Sequence, residues 1–197
     1  MEIEHPHIDI LIVAKDLSLS HTPRELYEEI NSHGKQVDIL VNNAGYGMTG
    51  NFTELDLNEQ INMIHLNVLA LTELTHLFAQ DMVKRKFGRI MNVGSVASFV
   101  ATPTMSIYAA TKAFVLSFSE SLHSELKKKG NITVTALCPG PTKTNFAKAA
   151  NVGELEHFFE RHGMTAKEVA ISGYRALLKG EPVIIPGIKF RTLIQGF

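Results

Sequence analysis

Five apolar runs organise this sequence: IDILIVA (8–14), VDILVN (37–42), GRIMNVG (88–94), ITVTALC (132–138) and PVIIPG (182–187). None shows the strict polar alternation of a strand with one wet face, so each reads as a strand covered on both sides. Helical stretches separate them. Thr22, Pro23 and Glu25 form a capping-box start for a helix that Gly34 stops, and Asp56 caps a long helix that runs to about Arg85. Residues 108–129 form a third helix, and a fourth opens at Thr165 with Glu168 and closes at Gly180. Buried strands alternating with helices restrict the chain to an α/β fold, a doubly wound parallel sheet with helices on both faces. With 197 residues, no internal repeat and no linker, a single domain over 1–197 is expected.

Charge and composition then remove whole classes of partner. The 19 lysines and arginines are balanced by 20 acids, for a net charge of -1, so there is no electrostatic footprint for nucleic acid or an anionic membrane. No apolar run reaches the ~18 residues a membrane span needs. The start, MEIEHPHID, has neither the basic nor the apolar region of a secretion signal, and Cys138 is the single cysteine, so a reducing cytoplasm is the expected setting. His5 and His7 resemble half a metal site, but no further ligand follows at a suitable spacing, and solvated histidines are the simpler reading.

The segment NNAGYGMTGNF (42–52) spells G-x-G-x-x-G at Gly45, Gly47 and Gly50. A phosphate-binding turn needs its last glycine to open a helix, with an acid about 20 positions on at a strand end. Here NFTELD intervenes and the corresponding positions lie inside a helix, so this is not expected to be that turn. Elsewhere, Tyr108 and Lys112 stand one helical turn apart in YAATK and so share a face, where an ammonium is expected to pull the phenol pKa down towards the range of a general acid or base. A surface pair or a packed tyrosine is the structural alternative. Ser95 follows a buried strand at its carboxyl end, where open sheets place ligands, and its hydroxyl could donate to a developing oxyanion; Ser98 and Ser106 are its rivals. Asn67 shares a helical stripe with Ile64, Leu71, Leu74 and Phe78, a polar amide on an apolar face that needs partners. A serine hydrolase would want G-x-S-x-G, which VGSVAS does not supply.

Taken in order, KDLS (15–18), NNAG (42–45), Asn67, NVGS (92–95), YAATK (108–112) and PGPTKT (139–144) resemble the short-chain dehydrogenase/reductase family over nearly the whole chain. The resemblance implies a Rossmann-like domain and an oxidoreductase interconverting an alcohol and a ketone or aldehyde with NAD or NADP. It implies Asn67, Ser95, Tyr108 and Lys112 as catalytic residues: Ser95 positions the substrate oxygen, Tyr108 exchanges its proton, Lys112 tunes Tyr108 and holds the nicotinamide ribose, and Asn67 holds a water that relays protons to the lysine. It also implies cofactor contacts. Asp16 and Leu17 would meet the adenine and Asn43 the adenosine ribose, with Thr142 and Thr144 at the carboxamide; Ala44, Gly45, Pro139 and Gly140 complete the set with Tyr108 and Lys112. Asp16 equally reads as a turn acid and PGPT as a strand stop. Residues 145–163, with Phe146, Leu155, Phe158 and Phe159, fall where the family carries its substrate lid.

The same resemblance exposes a gap. The family opens with a strand, a turn of the form T-G-x-x-x-G-x-G, a helix and a second strand, and none of these is present before IDILIVA. In the 3-2-1-4-5-6 strand order the two missing strands would separate 8–14 from 37–42, and unpaired buried backbone groups cost about 1–3 kcal/mol each. Three resolutions are open: 8–14 moves in beside 37–42, another copy fills the edge, or the fold is marginal. The first is favoured here. The gap removes the main pyrophosphate anchor and the residues that distinguish NAD from NADP, so weakened cofactor binding is expected. A homodimer or homotetramer is expected from the family, and the competing function is a non-catalytic interaction protein that pairs through the helices at 57–85 and 108–129.

Overall fold

The computed structural model describes residues 8–153 and 155–187. Among these residues the central sheet has four strands in the order β1 (Ile39–Asn42), β2 (Phe87–Val93), β3 (Asn131–Leu137) and β6 (Val183–Ile184), and all its pairs are parallel. On one face, α3 (Leu71–Arg85) and α4 (Ser106–Leu126) bury Ala79, Met82, Ile90, Ile132 and Val134 in one cluster. On the other, α7 (Ala166–Lys179) packs Val169 and Leu177 against Met91 and Leu137. The continuous apolar character of β2 and β3 thus has its cause in two covered faces. A second, two-stranded ladder joins β4 (Thr142–Lys143) to β5 (Met164–Thr165), with α5 (Phe146–Ala149) and α6 (Leu155–His162) between them.

Local signals act as the sequence implies at most helix ends. Asp56 accepts from the Glu59 N–H at the start of α2 (Leu57–Ile64), Thr165 and Glu168 form a reciprocal capping box, and Gly180 ends α7 at a φ of 68°. Helix α1 (Thr22–Ser32) corrects one expectation: Thr22 is not its capping residue. His21 occupies that position without a side-chain bond, while Thr22 and Pro23 lie buried in the first turn, where proline's fixed φ suits a helix start. The long helix is also not uniform. Between α2 and α3 a π-helical turn spans His65–Ala70, the wider geometry that occurs mostly as single turns near functional sites.

The larger correction concerns residues 8–14. They form no strand and take no place beside β1, which is the edge of the sheet. Ile8, Ile10, Leu11 and Ile12 are exposed, Ile12 by 80%. Apolar β-branched composition favours a pleated, half-buried surface, and without a ladder partner that preference has nothing to act on. The segment runs instead into a turn at 17–20, and Lys15 pairs with Glu25 and Glu29 of α1. Helix α1 reaches the body through α3: Tyr27 donates to Asp81 at 2.7 Å and stacks edge-on against Phe78. Because α7 covers β2 and β3 but not β1, Ile39 and Val41 remain exposed.

Between the sheet and its helices runs a buried polar chain. Asn42 Nδ2 donates to Thr75 Oγ1 and to Asn92 Oδ1, both at 2.9 Å, and Asn92 Nδ2 donates to Ser119 Oγ at 3.0 Å. It ties β1, β2, α3 and α4 together. Both amide nitrogens donate within it, and Ser119 Oγ donates on to Val115 O at 2.6 Å, the kind of pairing under which burying such groups costs little.

Candidate active site

The carboxyl ends of β1, β2 and β3 deliver three loops to one place. After β2, Ser95 caps a short 3-10 turn at Val96–Ser98, and its Oγ accepts from Ala97 N at 3.1 Å. Ser98 is a structural serine: its Oγ accepts from Ser95 N and donates to the Lys112 carbonyl at 2.7 Å, while Ser106 is exposed at the start of α4. Of the three candidates, Ser95 is the one beside the Tyr108 phenol. Tyr108 and Lys112 lie one turn apart on the buried face of α4, as their spacing requires. The Lys112 Nζ sits 5.8 Å from the centre of the Tyr108 ring and donates to Val93 O at 2.8 Å.

The electrostatics differ from the sequence expectation. Lys112 does not pull the Tyr108 phenol down; burial pushes the phenol above its ordinary range, and the Ser95 hydroxyl beside it opposes that shift only in part. Burial also disfavours the ammonium, so Lys112 is lowered from 10.5 to about 8. At neutral pH the pair therefore holds a protonated phenol beside a lysine poised near its titration point.

Asn67 is only 1% exposed. Its Oδ1 accepts from Tyr46 N at 3.2 Å, and its Nδ2 donates to Tyr46 O at 2.9 Å and to Thr111 Oγ1 at 3.1 Å. The backbone N–H of Tyr46 fixes which way the amide points, so both of its donors are committed. Asn67 therefore clamps the loop after β1 to α4, and only the second lone pair of Oδ1 is left for a relay. Thr111, which sequence reasoning passed over, is the other jaw: its hydroxyl donates onward to Tyr108 O at 2.8 Å. The signal available was its place in YAATK, between the two residues of interest and on the buried side of the same helix.

The glycines of NNAGYG are explained by this clamp. Gly45 and Gly47 have no positive φ, so the backbone does not demand glycine at either. A Cβ on Gly45 would lie 2.8 Å from Asn67 Oδ1 and 3.5 Å from Lys112 Nζ, and one on Gly47 would lie 2.9 Å from Tyr108 Cδ2 and 3.0 Å from Phe146 Cζ. They are glycines of close approach, not a phosphate turn, and no helix opens at Gly50.

The remaining predicted residues fall in two groups. Leu17, Asn43 and Ala44 line a cleft of about 180 Å³ between α1, β1 and the long helix. Asp16, exposed next to them, accepts from Ser18 N at 2.9 Å and Ser18 Oγ at 2.7 Å, which holds its carboxyl below the usual range. The turn-acid role is thus real. Pro139 O accepts from Val96 N, tying the loop after β3 to the Ser95 turn; Thr142 Oγ1 donates to Gly140 O and Thr144 Oγ1 accepts from Phe146 N. From there Phe146 lays its ring 5.4 Å from that of Tyr108, and Phe159 stacks behind it at 6.5 Å. His5 and His7 lie outside the described residues, among which no group of three or more potential metal ligands occurs. No described helix is long and apolar enough to cross a membrane.

Comparison with known proteins agrees with this geometry. The family model for short chain dehydrogenases matches residues 2–154. The chain is 36% identical over 148 residues to the very-long-chain 3-oxoacyl-CoA reductase of Mus musculus, covering 72% of this chain and 46% of that one. It is 34% identical over 138 residues to the 3-oxoacyl-[acyl-carrier-protein] reductase of Haemophilus influenzae, covering 68% and 57%. The chain thus spans about half the length of these curated relatives. Among solved structures, a short-chain dehydrogenase from Sphingobium yanoikuyae in complex with NADPH superposes with a TM-score of 0.80 at 30% identity, over 92% of this chain and 69% of that one. A short-chain dehydrogenase/reductase from Burkholderia phymatum in complex with NAD gives 0.82 at 25% identity, over 93% and 73%. By its matched residues, its fold and its motifs, this chain belongs to the short-chain dehydrogenase family.

Proposed function

We propose that this chain is, or is the catalytic portion of, an NAD(P)-dependent oxidoreductase that interconverts a small-molecule alcohol and its ketone or aldehyde. The observation that carries this reading is the convergence of Ser95, Tyr108 and Lys112 at the carboxyl end of a parallel sheet. In it, Ser95 donates to the substrate oxygen and Tyr108 gives that oxygen its proton during reduction. The raised phenol pKa keeps the proton in place at neutral pH, which favours the acid role over the base role. Asn67 and Thr111 keep Tyr108 and the loop after β1 in register.

The residues present fit a nicotinamide dinucleotide. Lys112 has three N–H donors and uses one on Val93 O among the described residues, leaving two for ribose hydroxyls. Leu17, Asn43 and Ala44 share a cleft for the adenosine end, with Asp16 at its margin, and Pro139, tied to the turn that Ser95 caps, leads into Gly140, Thr142 and Thr144 for the carboxamide end. Ala44 and Gly45 leave the approach open. The bound cofactor supplies hydride to, or accepts it from, the substrate carbon. The proposal extends to a single domain over 1–197, a homodimer or homotetramer, and a cytoplasmic setting.

A ketone panel with NADH and NADPH tests the reading: reduction that is lost in Tyr108→Phe supports it, and no turnover with either cofactor at millimolar concentration overturns it. A second reading, a non-catalytic pairing protein, draws on the groove of about 570 Å³ between α3 and α4, where Phe118, Leu122 and Leu126 line the wall. Absence of turnover together with a dimer lost on Phe118→Glu would favour that alternative.

A further inference from the structure

We infer that Gly47 is a specificity-determining residue: by lacking a side chain it lets the rings of Tyr108 and Phe146 close on one α-carbon, and so sets how far Phe146 stands from the phenol. Gly47 is buried, and its φ lies outside the left-handed region, so an alanine there meets no backbone penalty and probes space alone. The added Cβ would fall 2.9 Å from Tyr108 Cδ2, 3.0 Å from Phe146 Cζ and 3.3 Å from Phe146 Cε2. Something must move.

The two rings are not equally able to yield. Tyr108 lies on the buried face of the 21-residue α4, with Thr111 bonded to its carbonyl and Ser95 beside its phenol. Phe146 begins the four-residue α5, is only partly buried, and rests on the rings of Tyr108 and Phe159 and on the small cluster of Ala147, Ala150 and Val152, with no polar bond from its side chain. A wedge at position 47 therefore displaces Phe146. The apolar wall over the phenol is drawn in by glycine and pushed out by anything larger, so the chain selects carbonyl compounds whose apolar arm is slim next to the reacting carbon. One methylene in an apolar pocket is worth about 10-fold or more in discrimination.

This inference rests on Tyr108 acting as the proton donor, and the experiment separates the two. Gly47→Ala, Phe146→Ala and their double variant are assayed on a straight-chain methyl ketone and on a ketone with a ring on the carbonyl carbon, and the Tyr108 phenol is titrated by its ultraviolet absorbance, with Tyr108→Phe as the blank. The expected result is a shift in kcat/KM of about 10-fold towards the ring-bearing ketone in both single variants, no further shift in the double variant, and a lower phenol midpoint in each. Gly45→Ala, which touches Asn67 and Lys112 but not Phe146, should lower kcat for both ketones alike. Unchanged selectivity in Gly47→Ala, or additive shifts in the double variant, overturns the inference. If the native chain turns over neither ketone, the functional reading fails, and an unchanged phenol midpoint in Gly47→Ala and Phe146→Ala then overturns the inference separately. If Gly47→Ala does not fold, Phe146→Leu decides by the same two readouts.

Discussion

The centre of the sheet and its amino-terminal margin are built from the same kind of sequence, yet they reach different ends. ITVTAL becomes β3, paired on both sides and covered on both faces, whereas IDILIVA has no ladder partner and leaves Ile12 80% exposed. What separates them is company: β3 has β2 and β6 as ladder partners and α4 and α7 as covers, while the margin has only α1, which leans on α3. Propensity proposes a strand, and neighbours decide. Ser95, Tyr108 and Lys112 hang from the well-supported side, on the loop after β2 and on α4, and Asn67 from the π turn between α2 and α3, so these four groups do not depend on the weak one.

That contrast can be broken or sharpened by experiment. The largest effect belongs to the centre: Tyr108→Phe should cut carbonyl reduction by about 10²- to 10⁴-fold without lowering the unfolding midpoint. Near-native rates would mean that the phenol carries no proton in the reaction. Next, Ile132→Ala should cost about 2–5 kcal/mol in denaturant unfolding, because Ile132 is fully buried under α3 and α4. A smaller effect comes from Lys112. With its folded pKa lowered to about 8 from 10.5, the unfolded chain binds more protons above pH 8, so stability should rise by about 1 kcal/mol from pH 8 to 9. Above pH 9 the buried Cys138 thiol, pushed up from 9.0 to about 12, acts with the opposite sign and flattens the curve. Lys112→Met should remove the rise between pH 8 and 9; a rise that survives the substitution assigns it to another group. The smallest effect belongs to the margin: Ile12→Ser should change stability by less than about 0.5 kcal/mol, and a larger loss would show that this segment is packed after all.

Much of this was legible beforehand, for reasons that differ by element. α2, β2, β3 and α7 carry their signals in nearby sequence, so run length, Asp56, the Thr165–Glu168 box and Gly180 were enough to find them. Spacing and position at a strand end singled out Tyr108, Lys112 and Ser95, and the resemblance to the family selected them over the structural alternatives and over Ser98 and Ser106. Residues 8–14 misled because a partner's absence is not written in the segment itself. Thr22 misled because a capping residue is defined by backbone angles, which Thr22 and His21 do not reveal by type. The direction of the Tyr108 shift was missed for a related reason: a nearby ammonium is visible in YAATK, but the burial that outweighs it, and lowers Lys112 as well, exists only once α4 is packed. Gly47 and Thr111 acquire their meaning from Phe146 and Asn67, each far away in sequence.

The amides of Asn42 and Asn92 stand opposite each other across β1 and β2, as aligned partners of one rung. A slip of one residue would turn Asn42 towards the open face and strand the oxygen of its neighbour in the interior, a penalty of about 1–3 kcal/mol. The pair thus works as a dowel. An edge strand of four residues, too short to hold its alignment by length, is indexed by a single side-chain bond, and everything delivered from its end, the clamp on Asn67 and the bare α-carbon beneath the phenol included, inherits that setting.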